Sequence, residues 1–350
     1  MMFLRHRDPA PQPGPEPMAV SLVGLLWVYA VIPVSVAVML ADRVLWAGAL
    51  GNQLPRTPNN LLVLALLFGT PHIVASNLIL VTNRDYFRHY RSRFVGISLG
   101  LAAFFAVFGS TLPRPIIVAL ISAWTVAHVV KQQVGLGNST ARHSGPMFWT
   151  WSWVGIGAGM LYYNAIFQAR VFTDGQLRLL AAVVAALAII VAGLTIALAA
   201  RTGNPLGRRW VVANGALMSL AAMAYLLGYP FFAILMPRVV HDVTAFVVYI
   251  SHDANRALAG VANRFYRPHR RPTGLALLAL PAIAVAVSAT LEHGADRVVN
   301  RALGALGGIQ IHEPVSLGVV GFLALQHYAF ESFTWKSSSP YRRYLHLRFS

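Results

Sequence analysis

Apolar runs about twenty residues long, separated by short polar connections, recur from Met18 to Trp335. At about 1.5 Å of helical rise per residue, each run covers roughly 30 Å, the thickness of a bilayer's hydrocarbon core. The pattern predicts spans near 18–40, 60–81, 94–112, 115–134, 147–167, 177–200, 210–228, 230–251, 274–291 and 314–335. The expected fold is therefore all-α: a polytopic transmembrane helix bundle of about ten spans, forming a single domain over residues 18–336. A disordered, proline-rich polar tail (1–17) precedes it. A basic cytoplasmic tail (337–350), suited to lying on lipid headgroups, follows it. In the eighth span Pro230, Pro237 and Arg238 interrupt the apolar run and predict a bent or shortened helix. Between the ninth and tenth spans, Val298, Val299, Ala302, Leu303 and Leu306 recur at helical spacing opposite Asp296, Arg297, Asn300 and Arg301, which predicts a helix lying on the outer membrane surface.

Composition agrees with the membrane class, since 57% of the residues are hydrophobic and 11% charged, against about 25% charged in a typical soluble domain. The net charge of +17 would suggest nucleic acid in a soluble protein. Here it is better read through the positive-inside rule. With a cytoplasmic N-terminus, the inside segments hold 19 of the 28 Lys and Arg residues and the outside loops 8, with Lys131 inside or beside the fourth span. That bias predicts an even number of spans and two cytoplasmic termini, and the expected location is a bacterial-type inner membrane. The expected partners are the lipid bilayer and a hydrophobic small molecule, with no nucleic acid. The chain contains no cysteine, which excludes disulfides, thiolate metal sites and cysteine nucleophiles. Any metal must bind through nitrogen and oxygen.

Ionisable groups inside spans are costly and mark functional candidates. They concentrate in the second span (His72), the fourth (His128, Lys131), the eighth (His241, Asp242, His252, Asp253) and the tenth (His327, Glu331). Measured back from the basic residue that ends each span, His72, His128, His241 and His327 fall within one slab about 9 Å thick. Four imidazoles at one depth can converge. His327 and Glu331, four residues apart, share a helix face, as do His128 and Gln132. His252 lies about 16 Å from His241 along a continuous helix, so it joins the same ion only if the helix breaks; otherwise it serves a second metal or an entrance. The candidate metal ligands are His72, His128, His241, His252, His327 and Glu331. Asp242 is the candidate orienting group, and Lys131 and Tyr328 are candidates for positioning protons. The aromatic residues Trp149, Trp151 and Trp153 are candidates for lining a channel. His6, His89, His143, His269, His293, His312 and His346 fall in tails or loops and read as solvated.

A sulfur-free set of imidazoles and carboxylates suits iron(II), the expected metal, and also admits zinc, manganese or copper. Pro71-His72, the run His128, Lys131, Gln132 and Gly135, the repeated His-Asp pair and the late His327, Tyr328, Phe330, Glu331, Trp335 and Lys336 resemble histidine-rich bacterial membrane proteins. They are also broadly similar to the Brp/Blh-type β-carotene oxygenase family. That resemblance implies a non-haem iron oxygenase cleaving a lipidic or carotenoid-like substrate, with His72, His128, His241 or His252, and His327 as iron ligands. Two other function classes fit the same residues. One is a proton- or metal-coupled transporter with a relay through Lys131, His241, Asp242 and Glu331. The other is a haem- or quinone-binding membrane protein.

Overall fold

The computed structural model describes residues 16–108, 111–261, 274–307, 315–336 and 338–349. Ten long helical elements follow one another: α1 (Leu22–Leu45), α2 (Leu62–Thr82), α3 (Arg84–Phe108), α4 (Arg114–Ala141), α5 (Pro146–Phe167), α6 (Asp174–Arg201), α7 (Pro205–Leu226), α8 (Pro230–Leu258), α9 (Gly274–Gly307) and α10 (Val315–Thr334). Local chemistry sets many of the starts. Prolines occupy the first turns of α4, α5, α7 and α8, where a missing N–H costs nothing. Thr173 and Gln176 form a capping box on α6, and Asn204 accepts the Gly207 N–H at the start of α7.

Among the described residues six helices, α1, α2, α3, α4, α6 and α8, are long and apolar enough to cross a membrane. The other four lie where the remaining expected spans fall. Of these, α5 and α7 have 22 residues each, with lower apolarity because they carry Trp, Tyr, Asn or Arg. Large aliphatic residues such as Leu99, Leu179, Ile189 and Ile196 are exposed, an outward surface that suits lipid. The buried spine is α8, which packs on α1, α2, α4, α7 and α9; Ile234, Met236, Val240, Ala245 and Val248 on it are almost fully enclosed.

Two expectations need correction. First, α8 is an unbroken helix of 29 residues with Pro237 inside it, and the break falls instead in α2. There Phe68 is extended and Gly69 takes φ +86°, after which the helix restarts at Thr70. Second, the segment read as a separate surface helix continues α9, which runs for 34 residues; the side chains of Val298, Val299, Ala302, Leu303 and Leu306 lie outside the described residues. The C-terminal segment, read as a basic tail, carries ordered structure of its own. A 3-10 turn, Pro340–Tyr344, buries Tyr341, and strand β2 (His346–Arg348) pairs in parallel with β1 (Ala19–Ser21). Apart from this sheet of two three-residue strands, the regular elements of the described residues are helical, as the all-α expectation has it. Most of the expected N-terminal tail, residues 1–15, lies outside the described residues.

Asn255 near the end of α8 holds both chain ends. It accepts the Met18 N–H at 2.6 Å and donates to the carbonyls of Met18 and Tyr344 at 2.9 and 2.8 Å. Ser251 donates to the same Met18 carbonyl at 2.7 Å.

Candidate metal centre

The break in α2 aims His72. Gly69 is the only residue type that fits there: its φ is positive, and a Cβ would sit 1.7 Å from the Arg238 Nη2. The backbone groups freed by the break are taken up by α8, whose Arg238 Nη2 donates to the Phe68 carbonyl at 2.8 Å while Asp242 Oδ2 accepts the Gly69 N–H. A carboxylate thus sits at the start of a half-helix, where unpaired N–H groups favour negative charge. His72, two residues into that half-helix, places its Nδ1 3.0 Å from the other Asp242 oxygen. Asp242 thus stands behind the imidazole on its Nδ1 side, with Nε2 turned toward His241. This is the usual arrangement of a carboxylate behind a metal-binding histidine.

Four imidazoles close a ring. The centroids of His72 and His241 are 4.8 Å apart, those of His241 and His128 5.0 Å, those of His128 and His327 4.9 Å, and those of His327 and His72 5.0 Å. Neighbouring planes stand at 69° to 90°. His72, His241 and His327 present ligand atoms within 4.8 Å of one another, and so do His128, His327 and Glu331. His72, His241, His327 and Glu331 are buried, His128 nearly so. Glu331 Oε2 lies 3.4 Å from His128 Nε2, 4.0 Å from His327 Nε2 and 3.0 Å from the Gln132 amide nitrogen that donates to it. Its other oxygen accepts from the Tyr249 hydroxyl.

The donor set fits a metal ion. Both nitrogens of His327, Nε2 of His128 and Nδ1 of His241 are buried without a hydrogen-bond partner. Leaving such groups unsatisfied costs about 1–3 kcal/mol each. The Nε2 atoms of His72 and His241 face each other at 3.2 Å. Two nitrogens bound to one ion at about 2.1 Å stand roughly 3.0–3.4 Å apart in square or tetrahedral arrangements. These buried His groups can hold a metal ion, and His327 belongs to both ligand triplets.

The remaining candidates lie elsewhere. His252 stands apart from the ring because α8 does not break; its Nε2 meets the Tyr86 hydroxyl at 2.8 Å and its ring stacks on Tyr341 at 3.8 Å and 5°. It belongs to the clamp on the chain ends, as does Arg256, which forks onto Asp85 at 2.8 and 2.9 Å. Lys131 is exposed and turned outward, with Nζ 4.4 Å from the Trp153 ring centre. Asp242 works as the orienting group described above. Tyr328 packs 4.5 Å from the His128 ring, and its hydroxyl accepts from Thr125 at 3.1 Å. None of the three tryptophans lines a channel: Trp151 is buried and donates to Thr195 Oγ1 at 2.9 Å, while Trp149 and Trp153 are about half exposed. Of the histidines read as solvated, His143 bonds Thr202 Oγ1 at 2.8 Å; His6, His269 and His312, and the side chain of His293, lie outside the described residues.

Three contributors escaped the sequence reading: Tyr249, Gly69 and Arg238 as a clasp on the break. A glycine just ahead of Thr-Pro-His inside an apolar run is a breaker signal, so Gly69 was the one within reach.

On the other side of the ring lies a cavity of about 720 Å³, lined by His72, His241, Asp242, Tyr328 and otherwise mainly by aliphatic and aromatic side chains. Its size suits a lipid-sized molecule. Comparison with family models, curated proteins and solved structures finds no match for this chain.

Proposed function

We propose that this chain is a membrane metalloenzyme, a non-haem iron oxygenase acting on a hydrophobic substrate, lipid or carotenoid-like, held in the 720 Å³ cavity beside the histidine ring. The observation that carries the reading is the closed ring of four imidazoles, three buried and His128 nearly so, backed by Glu331, with ring nitrogens that have no hydrogen-bond partner and a mainly apolar cavity on one side. His72, His128, His241, His327 and Glu331 would hold the ion. Iron in such a nitrogen and carboxylate set supplies dioxygen and one-electron chemistry. The chain's own contribution is to orient and to exclude water. Asp242 stands behind His72 at 3.0 Å, and Gln132 and Tyr249 hold Glu331 in place. The Tyr328 ring forms the wall between His128 and the cavity. The likeness to Brp/Blh-type oxygenases rests on these same histidines and belongs to the same proposal.

The proposal includes ten spans with both termini on the cytoplasmic side of a bacterial-type inner membrane. Pairing of β1 with β2 supports an even count, because it brings the two chain ends to one face.

The test is metal content in detergent-purified protein by mass spectrometry of the elements. Wild type, Lys131→Ala and His252→Ala are expected to carry about one equivalent of iron, and His128→Ala and His327→Ala little. Equal content in all five overturns the site. Zinc, manganese or copper in place of iron overturns the assignment of metal, and passage of metal across proteoliposomes favours a transporter.

A further inference from the structure

The cavity follows α4 along one stripe, touching Arg114, Ile117, Ile121, Thr125, Val129 and Gln133. From Arg114 to Gln133 this is about 28 Å of helix, so the space is long and narrow in proportion to its volume. A chain-like molecule fits it. Most of the wall is apolar; Arg114 stands at one end and Gln133, an uncharged hydrogen-bonding side chain, at the other. Gln133 is 1% exposed, lines the cavity, and has a side-chain amide nitrogen with no partner. Asn214 lines the cavity beside it.

The network behind these two residues defines what Gln133 offers. Asn214 Nδ2 donates to the Trp210 carbonyl at 3.1 Å and to the Gln133 carbonyl at 3.3 Å. Its Oδ1 is therefore an acceptor, and the Tyr29 hydroxyl lies 2.9 Å from it. The same hydroxyl lies 3.1 Å from the Gln133 side-chain oxygen. Tyr29 has a single proton for two acceptors. With the Gln133 oxygen on the Tyr29 hydroxyl, its NH2 is left over as a donor; with the amide turned so that the NH2 donates to the Tyr29 oxygen, its carbonyl oxygen is left over as an acceptor. A hydroxyl group satisfies either orientation, because it both donates and accepts.

We infer that the cavity takes an elongated apolar molecule bearing a hydroxyl at one end, seated on Gln133. This deepens the proposed function by naming its substrate class and rests on that reading for the reaction, though not for the binding. Gln133 lies five residues past His128, about 7.5 Å along the helix axis. The anchored end is thus close to the metal ring, while the rest of the chain extends toward Arg114.

The probe is a fluorescent conjugated C18 tetraene alcohol, displaced from detergent-purified protein by 1-hexadecanol or by hexadecane at equal mole fraction in the micelle. The alcohol is expected to displace the probe about tenfold more effectively, the worth of one buried hydrogen bond. The preference should vanish in Gln133→Met, whose side chain has similar length and no amide, while hexadecane binding is kept. Equal displacement by both chains in wild type overturns the inference, and so does an unchanged preference in a Gln133→Met protein that melts like wild type. If Gln133→Met does not fold, the wild-type comparison alone decides. Metal measured on the same samples separates the two readings: iron without hydroxyl preference sinks this site only, whereas preference without iron leaves it standing and sinks the oxygenase.

Discussion

At the scale of single residues, the site depends on side chains that spend their hydrogen bonds on orientation and leave a nitrogen to spare. Asp242 shows the pattern: one oxygen takes the Gly69 N–H and the other lies 3.0 Å from His72 Nδ1, with Arg238 Nε 3.8 Å away to balance the charge. Gly69 is therefore tied to the histidine ring through Asp242, though it touches none of the ring nitrogens directly. A methyl group there meets Arg238 Nη2 at 1.7 Å and forces φ from +86°. Gly69→Ala is expected to destabilise the protein by about 1–3 kcal/mol from backbone strain. Because the carboxylate behind His72 shifts with it, metal affinity is expected to fall about 10- to 100-fold. Thermal melting with and without added iron reads both effects. Wild-type affinity in a variant of reduced stability would show that Asp242 orients His72 independently of the break.

At the scale of elements, α8 carries two His-Asp pairs eleven residues apart that do unrelated work. The pair at 241–242 builds the ring. His252 sits among Tyr86, Tyr341 and Tyr344, beside the Arg256 fork and the Asn255 bonds to both chain ends. Removing residues 340–350 deletes the stacking partner of His252 and the partner of β1, so melting temperature is expected to drop by several degrees with metal stoichiometry unchanged. Loss of iron from a folded truncated protein would tie the clamp to the site. The division between the two pairs was not legible in sequence, where they look alike, because it depends on what packs beside each turn of α8. His72, His128, His241 and His327 were legible, since imidazoles are costly in apolar spans and counting from the basic ends puts them at one depth. The outward turn of Lys131 was not. It stands three residues from His128, on nearly the same face, but its long stem reaches a flat partner, Trp153, at the periphery. The pairing of β1 with β2 left no trace either, since three-residue strands are too short to show alternation.

At the scale of the whole molecule, the functions separate along the helix axes. The cavity begins near Arg114, the histidine ring lies past its middle, and Gln133 comes one to two turns later; the clamp on the chain ends is further along α8, about three turns beyond His241. If both termini are cytoplasmic, the Arg114 end of the cavity points outward and the clamp on the chain ends lies toward the inner face. That orientation also puts the loops between α4 and α5 and between α6 and α7 inside, and those between α1 and α2 and between α5 and α6 outside. The chain has no cysteine, so single substitutions report topology without background. Ser144→Cys and Gly203→Cys, both at exposed positions, are expected to resist a membrane-impermeant maleimide applied to the outer face of spheroplasts and to react after lysis. Asn52→Cys and Val171→Cys, also exposed, are expected to react before lysis. The reverse pattern turns the molecule over, which would make the hydroxyl-bearing end of the ligand the outward one and require the chain to be drawn from the cytoplasmic leaflet. A mixed pattern within either pair breaks the alternation of spans, and with it the depth alignment by which the four histidines were first brought together.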